Sequence, residues 1–183
     1  AEAGTARASE VALAVRKMTD SYGLAWAAGF FDGEGCVILT KRNRGVRSWL
    51  SYDVQMSAVN TDIRPLEKFK ELFGGSIQPV RSKNDLHTHW LPSWAWMVSH
   101  RKAEAALRAM LPWLTCKREQ AELAIQSRKY VRAKGKPFQA GEREALEWAR
   151  EQLQFLKRHP QTSGSAGLSN PPETQESEKL PSH

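Results

Sequence analysis

Two acids separated by one glycine, Asp32-Gly33-Glu34, close the run Ala27-Ala28-Gly29-Phe30-Phe31 in a chain of 183 residues. Ala25, Ala28, Gly29 and Asp32 recur at i, i+3, i+4 and i+7, which is one stripe of a helix. A stripe this small lets a second helix backbone approach closely. Leu24, Ala27 and Phe31 on the other side suit a core. Gly33 and Gly35 are expected to end the helix through the left-handed turn that glycine adopts cheaply. Cys36-Val37-Ile38-Leu39 then reads as a strand. Glu34 falls at the lip between helix and sheet, where the negative end of the helix disfavours another anion. A carboxylate in that place calls for a cation.

The elements that must position these acids follow from periodicity. Ser21 is the expected N-cap of the motif helix. The first strand is read over Cys36 to Lys41, with Lys41-Arg42-Asn43-Arg44-Gly45-Val46-Arg47 as a basic hairpin loop. In the second strand Leu50, Tyr52, Val54, Met56 and Ala58 alternate with Ser51, Asp53, Gln55 and Ser57. That pattern implies one apolar face against helices and one open polar face. A helix begins near Asp62, with Ile63, Leu66, Phe69, Lys70 and Phe73 on its buried side, Pro65 in its first turn and Gly74-Gly75 at its end. A second strand pair, Ser76 to Arg81 and Ser93 to Val98, flanks a long polar loop. Pro79 interrupts the first of these, so either Gln78 or Arg81 turns toward a ligand on the open face. Trp94 and Trp96 share one face and read as core. Ser99 can cap a helix carrying Ala103, Ala106, Leu107 and Met110 at helical spacing, and Pro112 breaks it. Two further helices are read over about 116 to 130 and 142 to 157, the last with Leu146, Ala149, Leu153 and Leu156 in one stripe.

Composition bounds the partners. The chain has a formal charge of +7. Residues 160–183 hold Glu173, Glu176 and Glu178 against Lys179, so the net +7 leaves +9 on residues 1–159. Such a basic domain suits a polyanion. No apolar run reaches the ~20 residues of a membrane helix, and the first residues lack the apolar core of a signal peptide, so an intracellular place (cytoplasm, nucleoid or organelle) is expected. The two cysteines, Cys36 and Cys116, are far apart and fit a reducing compartment. No histidine has metal-ligand spacing with either. The organisation expected is a loose arm over 1–19, one domain with C-terminal helices over 20–158, and a disordered tail over 159–183.

The nine residues Ala27 to Gly35 closely resemble the signature of the LAGLIDADG homing endonucleases. Ala27 stands for the first Leu, Phe30-Phe31 for Leu-Ile and Gly33 for the Ala. Glu34 stands for the second, metal-binding Asp, where Glu is a common variant. The resemblance implies an α+β fold, the family's αββαββα core with a saddle-shaped antiparallel sheet, here followed by extra C-terminal helices. Leu111 to Ala121 also resembles the family's P-x-L-x-x-K-x-x-Q segment, which makes Lys117 an accessory residue of the active site. Ala58 departs from the pattern: some members carry a polar active-site residue there.

One motif copy is present, and single-motif chains of the family act as homodimers. The resemblance therefore implies a two-fold contact through Ala25, Ala28, Gly29 and Asp32, bringing two Glu34 carboxylates together. It implies Mg²⁺ or another divalent cation held by Glu34, the Gly33 carbonyl and a phosphate. Asp32 would assist at the dimer axis or cap the partner helix, the structural role being favoured. The partner would be double-stranded DNA, a long and nearly palindromic site of about two helical turns, and the gene's source a mobile intron or similar self-spreading element. On the open sheet face Ser51, Asp53 and Gln55 are read as base contacts, with Gln55 suited to adenine and Asp53 to cytosine. Arg42, Arg44 and Arg47, with Gln78, Arg81 and Lys83, are read as further DNA contacts. Two alternatives stay open on the same fold: a DNA-binding regulator without nuclease activity, and an RNA-binding intron maturase.

Overall fold

The computed structural model describes residues 20–44, 49–80, 91–132 and 136–159. Helix α1 covers residues 20–34 and passes without a loop into strand β1, Gly35–Arg44. Then come β2 (Trp49–Asn60), α2 (Ile63–Phe73), β3 (Ser76–Pro79), β4 (Trp94–Ser99), α3 (His100–Met110), α4 (Arg118–Ser127) and α5 (Glu142–Arg158). One-turn 3₁₀ segments at Leu111–Trp113 and Arg128–Tyr130 bracket α4. The arm expected over 1–19 and the tail expected from residue 160 onward lie outside the described residues.

The strands form one four-stranded antiparallel sheet in the order β1-β2-β4-β3. Side chains alternate across it. Val37 and Leu39 of β1, Tyr52, Val54, Met56 and Ala58 of β2, and Trp96 and Val98 of β4 are all buried in one core with the helices. The expected alternation of β2 therefore fixes which face meets the helices. Trp96 anchors the far side: its indole N–H donates to the Gly74 carbonyl at 2.8 Å, and its ring lies 4.9 Å from that of Phe69. A buried indole with its polar atom satisfied contributes several kcal/mol, about 3–5 on truncation to alanine.

Several boundaries differ from expectation. Ser21 is already helical, so it caps nothing. Lys70 is exposed; Leu66 and Phe69 carry the buried side of α2. Gly74 ends that helix at φ 71°, its N–H on the Lys70 carbonyl. Strand β1 runs through Arg44, so Lys41, Arg42 and Arg44 belong to the strand and not to a loop. The Lys41 ammonium binds Glu147 of α5, whose carboxylate also accepts from the Tyr52 hydroxyl. Helix α5 thus packs against β1, an edge strand of the sheet.

Among the described residues no helix is long and apolar enough to cross a membrane.

Candidate active site and nucleic-acid interface

Helix α1 ends at Glu34, and both Gly33 and Glu34 are exposed. The glycines here act differently from expectation. Positive φ occurs at Gly74, Gly75 and Gly141 among the described glycines, not at Gly33 or Gly35. The chain needs Gly35 for room: a Cβ there would lie 2.4 Å from the Phe31 carbonyl oxygen and 2.2 Å from its ring. The motif's last glycine is therefore what lets a helix run straight into a strand.

Asp32 spends both carboxylate oxygens inside its own chain. Oδ2 accepts from the Thr115 N–H at 2.7 Å and Oδ1 from the Lys117 N–H at 2.9 Å. These are amides just before α4, so Asp32 caps that turn of its own chain. The same turn delivers Lys117, whose ammonium donates to the Asp32 carbonyl oxygen. Two segments 85 residues apart are thus tied at the exposed end of α1, with Lys117 beside the backbone that carries Glu34. The lysine and the motif that sequence reading placed together do meet.

The small stripe is rotated from the expected one. Ala28 is fully buried with Ala27 and Phe31, and so does not face outward. Ala25 is half-buried, while Gly29 and Gly33 are exposed with open space where a Cβ would stand. The outward line of α1 runs through Tyr22, Ala25, Gly29 and Gly33.

On the sheet, register puts Arg42 opposite Ser51, Thr40 opposite Asp53 and Ile38 opposite Gln55. All lie on the face away from the core. Arg42 is exposed, Ser51 half-buried, and the Gln55 amide rests 3.0 Å from the Met97 sulfur. Gln78 is exposed and Pro79 is the last residue of β3. Asp53 is the correction. It is 5 % exposed, with Oδ2 2.8 Å from His100 Nδ1 and Oδ1 3.7 Å from an Arg128 guanidinium nitrogen. Burial pushes its carboxyl above the usual range, against the pull of His100, Arg128 and Arg42. A carboxylate so enclosed does not read a cytosine edge. Arg47, Arg81 and Lys83 lie outside the described residues, as does the Arg44 side chain. Sequence reading missed His100 and Arg128 because a long-range ion pair leaves no local period or motif.

Among the described residues no three His, Cys, Asp or Glu side chains converge as a metal cage. The exposed Glu34 carboxylate, beside the last carbonyls of α1, still fits a Mg²⁺-type ion. Such an ion keeps several waters and shares its coordination with one or two carboxylates and a substrate phosphate. One last-turn carbonyl, that of Asp32, is already taken by Lys117.

Residues 27–105 match the family model described as LAGLIDADG endonuclease. No curated protein sequence matches the chain. Among solved structures, the chain is similar to the homing endonuclease I-CvuI in complex with its target, at 22 % identity and a TM-score of 0.60, covering 76 % of this chain and 84 % of that one. It is also similar to the archaeal intron-encoded homing endonuclease I-Vdi141I complexed with DNA, at 16 % identity, the same two coverages and a TM-score of 0.57. At these identities the likeness is one of fold, and it matches the helices and four-stranded sheet described above. The match to the LAGLIDADG endonuclease model over residues 27–105 thus runs from the motif helix through the sheet into α3, the same elements that carry the likeness of fold.

Proposed function

We propose that this chain is a site-specific DNA endonuclease that works as a homodimer and requires a divalent cation. The observation that carries it is the end of α1, where exposed Glu34 and the Lys117 ammonium on the Asp32 carbonyl belong to one cluster. A solvent-facing acid at the negative end of a helix is costly unless a cation joins it. Glu34, the Gly33 carbonyl and a DNA phosphate would hold that ion. Once bound, a divalent ion supplies Lewis acidity toward the phosphodiester and lowers the pKa of a coordinated water. Lys117 would stabilise charge on the phosphate oxygens. Lys117→Met is expected to slow single-turnover cleavage about a hundredfold while leaving duplex affinity nearly unchanged. An equal loss in affinity would make Lys117 a binding residue only.

The outward line Ala25, Gly29, Gly33 supports a second copy of α1 as the missing partner. Two-fold pairing would give two Glu34 sites, one for each strand of a nearly palindromic duplex. Gly29→Arg separates the readings, because Cβ at Gly29 meets nothing within 4 Å in the protomer. Replacing an exposed helical glycine with a good helix former favours the isolated helix by about 0.8 kcal/mol. Sedimentation is therefore expected to show a dimer for wild type and a folded monomer for the variant. A dimeric variant would place the interface elsewhere.

The open sheet face, with Arg42, Ser51, Gln55 and Gln78, would lie in the major groove. Selection from a randomised duplex library, followed by incubation with Mg²⁺ or EDTA, tests the whole reading. A nearly palindromic site cut only with Mg²⁺ is the expected result. A site bound but never cut would leave a DNA-binding regulator. Failure to enrich any duplex would turn attention to structured RNA.

A further inference from the structure

We propose that His100, seated on the buried Asp53 carboxylate, is a DNA-phosphate contact at the end of β4. The proposal rests on the open sheet face being the one that takes DNA. His100 is the first residue of α3 and has φ 62°, the one non-glycine positive φ among the described residues. That conformation costs an L-residue roughly 1–2 kcal/mol and persists where the surroundings over-determine it.

What the strain achieves is visible. Ser99 pairs with Gln55 as the last residue of β4, and the left-handed step at His100 brings the imidazole over β2. Nδ1 comes to 2.8 Å from Asp53, whose side chain is 7 % exposed, while the His100 side chain is 72 % exposed. One edge of the ring meets a buried acid and the other faces solvent, on the face carrying Ser51 and Gln55.

Packing and capping do not call for an imidazole there. The ring buries little, Ser99 makes no side-chain cap, and a cation at a helix N-terminus opposes the helix dipole. No other side chain hydrogen-bonds the Asp53 oxygens among the described residues, and His100 meets the carboxylate through both its backbone N–H and its ring. The charged groups around it are His100 of α3, Arg42 of β1 and Arg128 after α4. Arg128 is shared with Glu104 of α3, 3.3 Å away, and Arg108 also binds Glu104. That leaves two exposed groups near Asp53, His100 and Arg42, able to meet an anion from solvent. A phosphodiester oxygen fits an Nε2–H of the imidazole.

The test uses the full chain and its selected duplex in EDTA, with affinity measured by anisotropy. His100→Asn keeps a residue that tolerates φ near 60° but carries no charge. The variant is expected to bind about tenfold more weakly, with a shallower log–log salt slope. Asp53→Asn, checked for folding by its thermal melt, removes the carboxylate that seats the ring and is expected to shrink the effect of His100→Asn. A His100→Asn protein that matches wild type in both affinity and salt slope overturns the proposal. If wild type itself binds no duplex, the DNA reading falls and takes this inference with it.

Discussion

Glu34→Gln is expected to abolish cleavage while leaving the duplex bound. The carboxylate is exposed at the end of α1, so its replacement by an isosteric amide disturbs no packing. Binding should be unchanged or slightly tighter, because one negative charge leaves a surface that meets phosphates. The chemical step should suffer far more. A bound cation supplies several kcal/mol of charge stabilisation, and each ~1.4 kcal/mol is tenfold in rate. A fall of about a thousandfold or more in single-turnover cleavage follows, set beside unchanged anisotropy titrations. Retained cutting would move the metal site away from Glu34.

The second large effect is structural. Gly35→Ala is expected to destabilise the fold by about 3 kcal/mol or more, since overpacking against an immobile wall sits at the top of its usual range. The new methyl would stand 2.2 and 2.5 Å from two Phe31 ring carbons and 2.4 Å from the Phe31 carbonyl oxygen. Neither can yield easily. Phe31 is fully buried against Phe69, and its carbonyl belongs to the helix end itself. For a chain of this size the melting temperature should drop by roughly 6–12 °C. Gly33→Ala is the matched control: its Cβ meets nothing within 4 Å and its φ is not positive. Made in the monomeric Gly29→Arg background, where the outward line meets no partner, the control should melt like its parent. If Gly35→Ala does so too, the junction between α1 and β1 relaxes more readily than its contacts indicate.

These two glycines show where local reading stops. Their place after a small-residue helix is plain in the chain, and so is the chemistry of the acid between them. Glycine's conformational freedom predicts left-handed turns at both. The reason for Gly35 is instead a ring from one turn earlier, which only the folded junction places overhead. Likewise the alternation from Tyr52 to Ala58 marked the buried face of β2 correctly. It could not show that Asp53, on the other face, is enclosed by residues from α3 and the segment after α4.

Periodicity is written residue by residue, because burial of one face repeats every two positions in a strand and every three to four in a helix. The αββαββα order, the core stripes, the lone motif and the basic charge were therefore determined by the sequence alone. Partnerships across long separations carry no such repeat. Only the tertiary structure decided that Asp32 caps its own chain's turn at Thr115 and Lys117. It alone turned Ala28 inward and Gly29 outward. The pairing of buried Asp53 with His100, and of Lys41 with Glu147 on α5, also emerged there. In each case the deciding quantity is the angle and distance between two elements, which packing of the whole core sets and no single segment encodes.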